Sequence, residues 1–146
     1  MAINLLGSVY MAKYAAVAMA KNVSPNENGG EKGLILFVSS VAAEEAERGQ
    51  ISYGASKGAI NGLVLPMARD LGKYGIRVAA IAPGIFLTPM SADFPKKLED
   101  QYKATTPMGR PGTVAEFAHM VTFCIENGYI NGVRLRLDGA IRLAHY

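Results

Sequence analysis

Leu34-Ile35-Leu36-Phe37-Val38, followed at once by Ser39-Ser40, is five apolar residues in a row without the polar alternation of a half-exposed strand. Such a run marks a strand covered on both faces, as in a parallel sheet with helices above and below it. Downstream, Ile76 to Ala82 repeats the pattern, and Val133 to Leu137 offers a shorter third strand. Between the first two, the sequence predicts a helix that Ser52 caps and that runs to about Lys73, with Gly75 closing it. Pro66 inside it predicts a kink or a local loss of pairing. A further helix is expected from about Val114 to Glu126, and the polar stretch Glu44 to Gln50 reads as an exposed loop. Upstream, Leu5 to Lys21 carries Ala12, Ala15, Ala16, Ala18 and Met19 on more than one helical face, which predicts a helix buried between other elements. Helix, strand, helix, strand, helix, strand is the order of an α/β fold with parallel strands and right-handed crossovers. Three strands leave one flank of Leu34 to Val38 as an unpaired edge, so the pattern reads as half of a sheet.

Composition narrows the function classes. The chain has 146 residues, is 50% hydrophobic and 18% charged, and so should pack one core without being disordered. Its lone Cys124 cannot form an internal disulfide, and no cysteine/histidine spacing suits zinc, so no metal site is expected. The net charge of +3 comes from scattered Lys and Arg, which gives direct nucleic-acid binding little support. Met1 to Ala20 is apolar, but Lys13, Gly7 and Ser8 interrupt it and no basic region precedes it, so a packed helix is expected in place of a membrane segment.

The chemistry-bearing residues gather where open α/β sheets bind ligands, at the C-terminal ends of the strands. Ser39-Ser40 ends the first strand, and Pro83-Gly84 follows the second, with Thr88 shortly after. In Tyr53-Gly54-Ala55-Ser56-Lys57 the phenol and the ammonium stand four residues apart on one helical face, so the lysine can stabilise a phenolate and suit the tyrosine to general acid/base work. A Tyr-x-x-x-Lys pair alone is as well explained by two half-exposed helix residues, a strand-end serine by a turn, and a Pro-Gly by the end of a strand. It is their joint spacing that carries information.

Together with Asn4-Leu5-Leu6-Gly7, this set of Ser40, Tyr53-x-x-x-Lys57 and Pro83-Gly84-x-x-x-Thr88 resembles the catalytic half of the short-chain dehydrogenase/reductase family. The strings Ser40-Val41-Ala42-Ala43, Ala68-Arg69-Asp70-Leu71, Gly75-Ile76-Arg77-Val78, Ile125-Glu126-Asn127 and Leu137-Asp138-Gly139-Ala140-Ile141-Arg142 are similar to the members acting on 3-hydroxyacyl-CoA and hydroxysteroids. The resemblance implies a partial Rossmann-like doubly wound sheet, residues 1–146 being the C-terminal catalytic and substrate-binding half. It implies hydride transfer between NAD and a secondary alcohol or ketone, with fatty acid metabolism in the mitochondrion as the setting. By the same resemblance Tyr53 moves the hydroxyl proton, Lys57 lowers its pKa and bonds the nicotinamide ribose, and Ser40 holds the substrate oxygen. Asn4 anchors a water chain to Lys57. Pro83, Gly84, Ile85 and Thr88 contact the cofactor, and Gln50 faces substrate. Phe86 to Pro107, with Met90, Phe94, Leu98 and Tyr102, corresponds to the segment that covers substrate in the family, and is equally a surface helix packing its own apolar side. Lys96-Lys97, His119 and His145 read as solvated or structurally satisfied groups.

The family's glycine-rich turn after a first strand has no counterpart here. Gly29-Gly30-x-x-Gly33 precedes a strand, while Gly72-x-x-Gly75 and Gly128-x-x-x-Gly132 close helices. Catalytic residues without a pyrophosphate cradle predict weak NAD binding and negligible turnover by this polypeptide alone. The resemblance also implies a homo-oligomer built through helices 5–21 and 52–73. Two alternatives are a non-catalytic scaffold subunit of mitochondrial tRNA processing, a role that one branch of the family serves, and a degenerate pseudo-enzyme.

Overall fold

The computed structural model of the protein describes residues 1–24, 30–88 and 96–142. Its centre is a three-stranded parallel sheet in the order β1 (Gly33–Val38), β2 (Ile76–Pro83), β3 (Arg134–Leu137). Gly33 pairs with Ile76 and Val38 with Ile81, and Ala80 to Pro83 pair with Arg134 to Leu137. Every residue from Ile76 to Ala82 is buried, as expected for the central strand. In β1 the burial alternates, with Ile35 and Phe37 inside and Val38 exposed, because alternate side chains point to opposite faces of the sheet and Ile35 and Phe37 lie on the face packed against α3.

Helix α1 (Ser8–Met19) continues from a π-helical turn over Ala2–Gly7. A short α2 (Ala42–Glu45) follows β1, and α3 (Ile51–Gly72) is the long crossover between β1 and β2. Helices α4 (Lys96–Thr105) and α5 (Val114–Glu126) precede β3. Ile60, Val64 and Ala68, four residues apart on α3, lay one stripe against Ile35, Phe37, Val78 and Ala80, and this is the main core. At the turn before β2, Gly75 has φ +73°, and a Cβ there would lie 1.9 Å from the Gly30 carbonyl oxygen, so only glycine fits.

Three expectations need correction. Helix α3 begins at Ile51 with Gln50 as its N-cap and no side-chain cap, so Ser52 lies inside the helix. The helix runs on past Pro66, which is exposed and has no N–H to give; the residue four earlier is the exposed Gly62, whose carbonyl can turn to water, the local loss of pairing expected at this proline. Glu44 to Gln50 is no free loop: Glu44 bonds Arg134, and Glu45 meets Arg136 at 2.8 Å, tying α2 to β3. Finally, α1 is not buried, since only Ala12 is covered while Tyr10, Met11, Tyr14 and Val17 stand exposed. The described fold places a sheet on one side of this helix and nothing on the other. By length and composition Ala2–Met19 is apolar enough to cross a membrane. Here Met19 sits directly over Gly33, and Lys32 Nζ donates to the Ala20 carbonyl at 3.0 Å, docking the helix on β1.

Within Phe86 to Pro107, for which a surface helix was one of two expectations, lies α4, and a bridge joins Phe86 to Gly112. Met90, Phe94, His145 and the Leu98 side chain lie outside the described residues.

Candidate functional site

The crossover brings the start of α3 to the C-terminal ends of β1 and β2. Three backbone bonds knit that rim: Ser39 N–H donates to the Ile81 carbonyl (2.7 Å), Val41 N–H to the Pro83 carbonyl (3.1 Å), and Gly84 N–H to the Leu137 carbonyl (3.0 Å). Gly84 is required there, because a Cβ would lie 3.0 Å from Asp138.

Tyr53 and Lys57 sit in the first two turns of α3, on one face. Lys57 Nζ lies 5.8 Å from the Tyr53 ring centroid and donates to the Val38 carbonyl at 2.8 Å, so the ammonium bridges the tyrosine and the tip of β1. Burial pushes the Lys57 pKa below its usual value. Tyr53 is 41% exposed and reachable from solvent. Ser40 is buried two residues beyond Val38, and its oxygen accepts the Ala42 N–H at 3.1 Å, which leaves its own proton for another acceptor.

Asn4 lies within the π-helical turn, ahead of α1 proper, and its Nδ2 donates to Ser56 Oγ at 3.3 Å. Ser56 in turn donates to the Tyr53 carbonyl at 2.7 Å, joining the first turn of the chain to the helix that carries the phenol. Asn4 and Lys57 line the same groove, of about 590 Å³, along the free edge of β1.

Other expected site residues lie apart from that groove. Ile85 lines a smaller cavity of about 260 Å³ with Phe86, Thr106, Met108 and Asp138, and its carbonyl accepts the Gly112 N–H. Thr88 is exposed in the loop after β2. Gln50, half-buried at the start of α3, accepts the Glu47 N–H at 3.2 Å with its side-chain oxygen and closes the turn before the helix. Tyr102 of α4 bonds Glu47 through its hydroxyl; burial and then the Glu47 charge raise its pKa. Lys96, Lys97 and His119 are exposed.

The sequence placed Ser39 at the strand end without giving it a role, and it did not single out Asn61. Ser39 is fully buried, and its hydroxyl donates to Asn61 Oδ1 at 2.6 Å, with the Lys57 carbonyl at 3.3 Å as a longer second partner. The only signal was a polar asparagine one turn beyond Lys57, inside a helix whose core stripe is otherwise apolar.

Where the groove meets the sheet rim, the Lys57 ammonium and the Tyr53 phenol stand side by side. Among the described residues no glycine-rich strand–turn–helix faces it: Gly33 opens β1, and Gly72 and Gly75 end α3 and its turn.

Comparison with known proteins agrees with this geometry. Residues 1–141 match the family model described as enoyl-(acyl carrier protein) reductase. The 3-hydroxyacyl-CoA dehydrogenase type-2 of Mus musculus is 45% identical over 142 residues, 97% of this chain and 54% of that protein. The crystal structure of 3-hydroxyacyl-CoA dehydrogenase type-2 from Mycobacterium avium superposes with a TM-score of 0.92 at 39% identity, covering 98% of this chain and 55% of the other. A 7α-hydroxysteroid dehydrogenase complexed with NADH and 7-oxo glycochenodeoxycholic acid gives 0.84 at 30% identity, covering 97% and 53%. The chain thus spans about half the length of the curated relatives it matches. Fold, rim geometry and these matches agree: the chain belongs to the short-chain dehydrogenase/reductase family.

Proposed function

We propose that residues 1–146 form the C-terminal catalytic and substrate-binding half of an NAD-dependent dehydrogenase for a secondary alcohol, a 3-hydroxyacyl-CoA or a hydroxysteroid. The observation that carries this reading is Lys57 Nζ held on the Val38 carbonyl at 2.8 Å beside the Tyr53 ring, next to Ser40 at the strand tip. NAD, when bound, supplies the hydride acceptor. Tyr53 takes the proton of the substrate hydroxyl, and the ammonium of Lys57 stabilises the phenolate this requires. Ser40 uses its remaining O–H to hold the substrate oxygen and offset the charge that develops there. Asn4, through Ser56, fixes the first turn of α3 and with it the phenol. Pro83, Gly84, Ile85 and Thr88 flank the nicotinamide, and Gln50 lies on the substrate side.

The exposed apolar faces of α1 and α3, with Tyr10, Tyr14, Val17 and Leu65, support a homo-oligomer through residues 5–21 and 52–73. Mitochondrial location and a part in fatty acid metabolism follow from the resemblance and belong to the proposal.

Tyr53→Phe tests the reading. In a protein that also carries the family's glycine-rich nucleotide site, the change should lower kcat by roughly 10²–10⁴-fold, the usual contribution of a general acid/base. It should leave assembly untouched. Full activity in the Phe variant would remove Tyr53 from the chemistry, whereas no activity in either protein, with assembly intact, would favour the scaffold role in tRNA processing or a degenerate pseudo-enzyme.

A further inference from the structure

We propose that Ser39 and Asn61 are a positioning pair, whose 2.6 Å hydrogen bond fixes the tip of β1 against α3 and so sets Ser40 relative to Tyr53 and Lys57. The inference rests on the reading of those three residues as the reacting group.

Ser39 and Asn61 are 22 residues apart in sequence, on opposite sides of the crossover. The Ser39 side chain points into α3 while the next residue, Ser40, belongs to the rim. Asn61 lies one turn after Lys57, and Lys57 itself reaches back to the Val38 carbonyl. Two contacts therefore stitch residues 38 and 39 to residues 57 and 61, and one of them involves no candidate catalytic side chain. Packing alone would not require this polar pair: Ile60 and Val64, on either side of Asn61, meet the sheet with apolar side chains. Asparagine is a poor helix former, because its side chain competes for backbone partners. An asparagine that works against its own helix, and pairs with a buried hydroxyl 1% exposed, marks a place where position is favoured over propensity.

Helix propensity makes the test sharp. Asn61→Leu keeps the heavy-atom count and is the better helix residue, so α3 itself is not weakened, while Ser39 is left with only the longer Lys57 carbonyl contact and any loss starts at the strand tip. The full chain, with isotope-labelled lysine, is followed by NMR, and the Lys57 signal is assigned with Lys57→Arg. In Asn61→Leu the Lys57 titration should move up toward that of an ordinary lysine as the strand tip loosens. Amide exchange at Ser39, Val41 and Ala42, all bonded at the rim, should quicken by about tenfold, while Val78 and Ala80 in the central strand stay unchanged. Asn61→Asp keeps the acceptor and should restore slow exchange at the rim. Should Asn61→Leu not fold, Ser39→Ala is read in the same way. Unchanged exchange and an unchanged Lys57 titration in the folded variant would overturn the pair, as would faster exchange spread equally through β2. None of these readouts is turnover, so an active Tyr53→Phe enzyme would sink the catalytic reading and leave the positioning pair standing.

Discussion

Arg77 shows how much one side chain can organise. It is buried in the central strand, yet it donates to the Cys124 carbonyl (2.8 Å), the Ile125 carbonyl (3.0 Å) and the Ile130 carbonyl (3.0 Å), and pairs with Glu31 at 2.7 Å. The last carbonyls of a helix lack partners within it, and here a guanidinium from another element meets them. Arg77→Ala would leave those carbonyls and Glu31 without that partner, at a cost of about 3 kcal/mol, the scale for breaking a buried charged network. Urea unfolding of the two proteins checks this, and a loss below about 1 kcal/mol would mean that water replaces the guanidinium. The sequence offered Arg77 only as one letter of a family-like string. Its role could not be read there, because its partners at Cys124 and Ile130 lie 47 and 53 residues away. Tyr53 and Lys57 were legible for the opposite reason: helix geometry fixes residues four apart on one face wherever the helix goes.

At the scale of elements, α5 begins with a reciprocal cap. Thr113 Oγ1 accepts the Glu116 N–H at 3.3 Å, and the Glu116 carboxylate accepts the Thr113 N–H at 2.7 Å and pairs with Arg110 at 2.6 Å. The hydrogen bond from Arg110, followed by those from Thr113, holds the Glu116 pKa down to about 2. A carboxylate with a lowered folded pKa contributes stability that is present above its unfolded value and is lost as pH falls through the folded one. Glu116 should therefore stay ionised at pH 3.5 in the folded chain, and carboxyl-carbon NMR should find its midpoint near 2; a midpoint at the ordinary 4.5 would contradict the cap. Thr113→Ala removes half of the cap and should destabilise the chain by about 1 kcal/mol, measured by thermal unfolding. Strands β1 and β2 and helix α5 were read from sequence nearly to the residue, since continuous apolar runs and apolar periodicity are local signals. For helix α4 the sequence left a surface helix as one of two readings of Phe86 to Pro107 without its bounds, because polar Lys96 to Thr105 has no apolar run to declare it and Tyr102 meets the distant Glu47.

Among the described residues the molecule is a three-stranded sheet whose β1 edge is unpaired, with a helix exposed along most of its length. An unpaired strand flanked by an apolar groove, together with exposed Met11, Tyr14 and Val17, should make the 146-residue polypeptide associate with itself. Sedimentation velocity should show mass rising with concentration, and Tyr14→Lys should shift the distribution toward monomer; a concentration-independent monomer would refute this. The same polypeptide, assayed alone with a 3-hydroxyacyl-CoA and NAD, should show negligible turnover, since nothing among the described residues cradles a pyrophosphate; a normal steady-state rate would contradict the expectation. By itself the sequence determined the order and type of the main elements, the parallel character of the sheet and the family, because apolar periodicity and motif spacing are properties of contiguous chain. Only the tertiary structure decided that α1 lies exposed, that Glu44 and Glu45 are held by Arg134 and Arg136, and that Ser39 meets Asn61. Those contacts come into being when a crossover closes and brings distant residues to one rim, and no local pattern along the chain encodes which of them will meet.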